Sequence, residues 1–279
     1  MNTLSIQEQS QVLSLLCEGT SIRTTERLTG IHRDTIMRLV VRTGEHAQMI
    51  LNEKMNNLAV EQLQCDELHC FVGKRQKNLT PEEAQDQYYG EQYVFLPMCA
   101  KSKLIPTFRV GKRTAQTARS LMMELSTRIT TRFQLSTDAF PAYLDTVQRV
   151  WGTDVDYAQV VKHYDEDMSG TRRYAPPRII RTTILPLIGK PKRKHCSTSY
   201  IERQNLNMRM DLRRLTRLTN GYSKKWENLR AMLAIYIYFH NFGKVHLSLR
   251  VTPAMEKGLT KHIWSWEEML SYKSQRIAA

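Results

Sequence analysis

From about residue 60 onward the apolar residues of this chain abandon helical spacing. They gather into short runs rich in Val, Phe, Tyr and Ile: VEQLQCDELHCFVG, YVFLPMCA and LIPTFRVG. Runs of this kind, bounded by polar stretches, read as strands. The first two are separated by a polar insertion, NLTPEEAQDQYYGEQ. Thr114 to Thr130 then carries Ala118, Leu121, Met122 and Leu125 at amphipathic-helix spacing. FQLSTDAF reads as a fourth strand ending at Asp138, followed by a helix from about Pro141 to Trp151, and VDYAQVVKHY as a fifth strand. This succession predicts an α/β sheet flanked by helices over residues 61–245.

Between Asp165 and Ser199 the pattern fails. Pro176, Pro177, Pro186 and Pro191 and the run KPKRKH predict an extended basic loop inserted at 165–199. Helical periodicity resumes in SYIERQNLNMRMDLRRLTRLT, with Ser199 as a candidate cap, and again in SKKWENLRAMLAIYIYFHNF. Residues 246–279 are expected to pack back as a turn and a short helix. In these closing segments Trp226, Trp264 and Trp266 read as core or interface anchors, and His240, Asn241 and His246 as either site lining or packing.

Ahead of the sheet, residues 1–45 have the grammar of a helix-turn-helix, with Gly19 and Gly30 as punctuation. Val12, Leu15 and Leu16 form an apolar stripe on the first helix, Ile22 and Leu28 on the second, and Ile31, Ile36, Leu39 and Val40 on the third. The segment from His32 to Arg42 takes the place of a recognition helix, with Arg33, Thr35 and Arg38 toward a groove and Ile36 and Leu39 toward the core. A plain three-helix bundle that binds protein is the alternative. Residues 46–60 read as a helical connector.

Charge narrows the partner. The net charge is +14, and from Val160 to Arg230 there are 17 Lys and Arg against 6 Asp and Glu. So concentrated an excess points to a polyanion such as nucleic acid. The five cysteines form no C-x-x-C pair, which suggests reduced thiols and gives no zinc-ligand spacing. The opening MNTLSIQEQSQ lacks the pattern of a secretory signal, and no apolar run is long enough to span a bilayer. A cytoplasmic, nucleoid-associated bacterial protein without membrane attachment is expected. With no G-x-x-x-x-G-K-[ST] loop, nothing in the sequence suggests ATP-driven chemistry.

Three acids could act on such a partner. Cleaving and rejoining phosphodiesters suits two divalent cations roughly 4 Å apart, held by hard oxygen ligands from different elements. Asp66 lies within the first strand among Leu63, Cys65, Leu68 and Phe71, where an unpaired charge is costly. Its neighbour Glu67 falls on the opposite sheet face by strand alternation and is the lesser candidate. Asp138 stands at the carboxyl end of a strand, the usual place for ligand groups in α/β sheets. Glu202 begins a helix bearing Arg203, Asn205, Arg209, Arg213 and Arg214, and shares one face with Asn205 and Arg209, a face expected to look toward DNA. Each acid also has a plainer reading: a strand-edge carboxylate, a helix cap, a surface ion pair.

At these positions the sequence resembles transposases of the insertion-sequence-one type, a family of Asp-Asp-Glu enzymes. CDELHCFVGKRQKN is similar to the family's first-aspartate strand, STDAFPAYL to its second, and STSYIERQNLNMRMDLRRLTR to its glutamate helix, whose E-R-x-N-L pattern is the most specific. FHNFGKVHLSLRVTPAMEKG resembles endings found among related transposases. The resemblance implies a ribonuclease H-like mixed sheet and catalytic, metal-holding roles for Asp66, Asp138 and Glu202. It further implies dependence on magnesium, with manganese as a substitute, and cleavage and strand transfer at the ends of a mobile element. Arg33 and Arg38, Lys190, Lys192, Arg193 and Lys194 of the basic run, and Arg203, Asn205, Arg209 and Arg213 are the expected contacts to double-stranded DNA, with the chain acting as a homo-oligomer on it. The sequence departs from the family in a longer gap between Asp138 and Glu202 and in lacking an N-terminal cysteine zinc finger. The alternative function is a non-catalytic helix-turn-helix regulator.

Overall fold

A computed structural model describes residues 4–165 and 178–273. Three helices open the chain: α1 (Ile6–Cys17), α2 (Ile22–Thr29) and α3 (Arg33–Lys54). Ser5 and Glu8 form a capping box that starts α1. Gly30, in the left-handed region at φ +72°, ends α2. Ile36 and Leu39 are buried and Arg33 and Arg38 exposed, as the third helix's pattern predicts. Leu28 departs from its expected stripe and is 62% exposed.

The third helix does not stop near residue 44. It runs unbroken to Lys54, through what reads in sequence as a separate connector. Gly44 lies where α3 crosses α7 (Trp226–Tyr238), and a Cβ there would come within 2.5 Å of the Ala231 Cα. The glycine permits two helices to approach closely instead of ending one. Nearly every α7 residue from Leu229 on is buried, and one continuous core joins the opening helices to the sheet.

That sheet has six strands in the order β3-β2-β1-β4-β5-β6. They are β1 (Gln62–Val72), β2 (Gly90–Cys99), β3 (Arg109–Gly111), β4 (Phe133–Thr137), β5 (Val155–Tyr164) and β6 (Ile179–Ile188), with α4 (Ala115–Arg128) and α5 (Ala142–Trp151) between the middle strands. β1 runs antiparallel to β2 and parallel to β4, and β4 parallel to β5. The result is a mixed sheet flanked by helices. β6 is a correction: residues 179–188, expected within a loop, pair antiparallel with β5. Pro186 is tolerated because β6 is an edge strand and the register slips beside its partner Ala158. The expected insertion's Pro176 and Pro177 lie outside the described residues.

After the sheet come α6 (Ser199–Asp211), α7, a π-helical turn (Phe239–Gly243), α8 (Pro253–Glu256) and α9 (Trp266–Ser271). Trp226, Trp264 and Trp266 are half-buried against the core. The turn aims Asn241 at Ile105, whose N–H and C=O it satisfies at 3.0 and 2.8 Å, while the His240 ring bonds the Lys103 carbonyl at 2.9 Å. Both side chains are packing groups that clasp the loop after β2. Among the described residues, no helix is long and apolar enough to cross a membrane.

Candidate active site

Parallel pairing of β1 with β4 sets the site. The register places Cys65 beside Thr137, so the next residues along each chain, Asp66 and Asp138, come level with one another. β4 ends at Thr137, which leaves Asp138 at the strand's carboxyl end as predicted.

On one face of β1, Gln64 and Asp66 meet α6. The Gln64 side-chain oxygen accepts from the Tyr200 and Ile201 N–H groups at 3.0 and 3.1 Å. These are donors at the start of a helix that has no side-chain cap of its own, so Gln64 rather than Ser199 terminates and docks α6. One turn on, Asn205 Nδ2 donates to Asp66 Oδ2 at 2.8 Å. Further along, Arg209 donates to the His69 carbonyl of β1 and to the Leu215 carbonyl, both at 3.1 Å. The face bearing Asn205 and Arg209 therefore looks onto β1, a correction to the expectation that it faces DNA. Asn205 acts on the carboxylate, and Arg209 on backbone.

Glu202 starts that helix. Its carboxylate accepts from Thr198 Oγ1 at 2.5 Å and is held by the Lys162 ammonium of β5, which touches both oxygens. Burial pushes the Asp66 carboxyl up to about 6; a backbone hydrogen bond opposes this, and the charges of Asp138 and Glu202 add to it. Asp66 therefore feels both of the other acids.

Glu67 points to the other face, as alternation requires. Its carboxylate lies under Tyr143 of α5, whose hydroxyl donates to it, and accepts from Arg113 Nε at 3.1 Å. Arg113 Nη2 also reaches Asp138 Oδ2 at 3.2 Å, so one guanidinium ties the second aspartate to Glu67. The Glu67 side chain is 2% exposed, and burial, followed by the Asp138 charge, raises its carboxyl to about 7.

Among the described residues, no three acidic, His or Cys side chains converge closely enough to hold an ion as they stand. Asp138 is engaged by Arg113 and Glu202 by Lys162, whereas Asp66 meets neutral donors, the Asn205 amide and the Glu67 backbone N–H. The donors nonetheless suit a hard divalent cation. All are oxygens, Asp66 is destabilised as an anion, and the buried Asn205 Oδ1 beside it has no hydrogen-bond partner among the described residues. Sequence reasoning missed Gln64, Lys162, Arg113 and Tyr143, because each acquires its role only when distant segments meet.

The remaining predicted residues lie elsewhere. Lys190, Lys192, Arg193 and Lys194 are exposed, with the Lys190 and Lys192 backbone N–H groups anchored at 2.8 Å on Asp156 and Gln134. Arg203 and Arg213 are exposed, and Arg33 and Arg38 sit on α3, outside this cluster. All five cysteines are free and buried.

No family model matches the chain, and no curated protein does. Solved structures similar to it include the Mos1 transposase paired-end complex with left transposon end, at 12% identity and a TM-score of 0.24, covering 56% of this chain and 60% of that one. The piggyBac transposase synaptic complex with hairpin DNA matches at 12% identity and a TM-score of 0.34, over 89% of this chain and 55% of that one. The Mos1 strand transfer complex matches at 10% and 0.25, over 86% and 78%. The chain thus spans little more than half the length of the first two, and the overlap is too partial to carry an argument about function.

Proposed function

We propose that this chain is a DNA transposase with a ribonuclease H-like catalytic domain, which cleaves phosphodiesters at the ends of a mobile element and joins the freed 3′-hydroxyl to target DNA. The observation that carries the reading is the level placement of Asp66 and Asp138 on adjacent parallel strands, with Glu202 brought to them by a helix docked on the Asp66 face. The strand order and the basic stretch around α6 support it. The E-R-x-N-L helix, from which the resemblance to insertion-sequence-one-type enzymes was drawn, supports it as well.

Asp66, Asp138 and Glu202 would hold magnesium, or manganese in its place. Bound there, divalent cations activate water and offset charge on the leaving oxygen. The protein's own part is positional. Gln64 fixes the start of α6 and so the reach of Glu202. Asn205 orients Asp66, and Arg113 keeps Asp138 at the strand end. Lys162 and Arg113 neutralise two of the acids in the metal-free protein and must yield to the cations. The α2–α3 unit, with Arg33 and Arg38 exposed, would read the element's terminal repeats as a helix-turn-helix, while the exposed run from Lys190 to Lys194 and Arg203 hold backbone. Double-stranded DNA is the partner, with the protein working as a homo-oligomer on it.

The test is incubation with magnesium and a duplex carrying the element's ends. Cleaved and joined products are expected from the wild type, and neither from Asp66→Ala, Asp138→Ala or Glu202→Ala, with DNA binding retained. Full activity in any of these variants removes that residue from the site.

A further inference from the structure

Beyond the candidate active site, at the far end of β1, lies a second groove that its chemistry does not use. It is a cavity of about 710 Å³ lined by Phe71, Lys74, Arg75, Arg213, Asn220 and Tyr222, among others. Phe71 follows Asp66 by five residues on the same unbroken strand, so alternation puts its ring on the Glu67 face, toward the far end of β1.

Its walls are cationic and short of acids. Lys74 pairs with Glu83 at 2.6 Å, but Arg75 and Arg213, and Lys224 beside the groove on the lining residue Tyr222, have no carboxylate within ion-pair distance among the described residues. Arg75 instead sits 6.0 Å over the Phe71 ring and Lys224 3.3 Å over the Tyr222 ring, while the two rings pack together at 4.4 Å. Behind them Arg214 bonds Ser223 Oγ at 3.0 Å, and the Ser223 carbonyl accepts from Gly73 N–H at 2.9 Å, pinning the groove's two walls together. Burial pushes the Arg214 guanidinium down to about 10, and no carboxylate pairs with it among the described residues.

We propose that this groove binds the phosphate backbone of DNA irrespective of sequence. Each ring already carries a cation and faces the other ring, so neither is free to stack a base. Nor do they leave an apolar slot for a peptide side chain. What remains is charge with amide donors, a combination that grips phosphates and reads no bases. The inference rests on the transposase reading and extends it by adding a hold on DNA that shares no residue with the three carboxylates.

The experiment is fluorescence anisotropy of the full chain with labelled duplexes of two unrelated sequences, in EDTA, over a salt series. The triple variant Arg75→Gln/Arg213→Gln/Lys224→Gln is expected to bind both duplexes about tenfold or more weakly at low salt. Its log-affinity against log-salt slope should be shallower by about 2.7, at ~0.9 per lost phosphate contact. Should the triple variant not fold, each single substitution is expected to remove about 0.9. The charge-keeping Arg75→Lys/Arg213→Lys variant should stay near wild type. Unchanged affinity and slope, strong preference for one sequence, or displacement by poly-glutamate as readily as by unlabelled duplex would each overturn the proposal. Because no metal is present, these outcomes are separate from those of the cleavage assay: wild-type protein that binds but never cleaves defeats the transposase reading and leaves the groove standing.

Discussion

Asp66 and Glu67 are adjacent in sequence, yet the two faces of β1 treat them in opposite ways. Glu67 is closed in by a tyrosine hydroxyl and a guanidinium. Asp66 meets the Asn205 amide and a backbone N–H, two nearby acids, no cationic side chain among the described residues, and an amide oxygen without a partner among them. A carboxylate with its hydrogen bonds and counter-charge supplied by the protein is a structural group. One left short of positive charge is prepared for a cation from outside. On the proposed reading the contrast gives Asp66 the cation and Glu67 the supporting part, although both carboxyls are raised by burial.

The largest expected effect separates the two residues by activity. Asp66→Asn should lower magnesium-dependent nicking of end-bearing DNA by about a thousandfold or more, since lost metal stabilisation of several kcal/mol corresponds to that factor. Glu67→Gln should lower it less than about tenfold; equal losses would erase the contrast.

Stability against pH comes next. A carboxyl raised from 3.8 to about 6 binds its proton more tightly when folded. Its ionisation therefore opposes folding: the chain gains stability as pH falls from 7 toward 4, by roughly 3 kcal/mol from Asp66 in the metal-free protein. Urea unfolding at pH 7 should accordingly find Asp66→Asn more stable than wild type, and magnesium should stabilise the wild type but not the variant. A variant less stable than wild type would mean that Asp66 is satisfied after all.

On the opposite face, Tyr143→Phe removes a buried donor to Glu67 and should destabilise the fold by about 1–3 kcal/mol without altering metal affinity. The smallest effect concerns Lys162. Its pair with the part-exposed Glu202 is worth about 1 kcal/mol or less, so Lys162→Gln should tighten magnesium binding a few-fold. Weaker binding, measured by calorimetry, would show that the ammonium supports the site instead of competing for it.

The division between β1's two faces was legible from alternation alone, because a strand of period two cannot aim neighbours the same way. Asp138 was legible as the last residue of an apolar run, and Glu202 from its helix. Their partners were not. Arg113, Tyr143, Lys162 and Gln64 are unremarkable until the β3–α4 turn, α5, β5 and α6 gather about the ends of β1 and β4, and no local pattern encodes that meeting. Where local signals misled, tertiary context had overruled them. The boundary expected at residues 45–46 falls inside one continuous helix, where Gly44 serves a close helix crossing, and Pro186, expected in a loop, lies in an edge strand. Leu28 fits an apolar stripe yet remains in solvent. Asn205 and Arg209 read as DNA contacts because their helix is so basic, and only the docking of α6 turns them onto β1.

The most direct test of the central claim is a manganese titration of wild type, Asp66→Asn and Glu67→Gln, followed by electron paramagnetic resonance of the free ion. Wild type and Glu67→Gln are predicted to take up manganese with similar affinity, and Asp66→Asn to lose at least about tenfold. No uptake by the wild type, or a loss that follows Glu67 instead of Asp66, would contradict it.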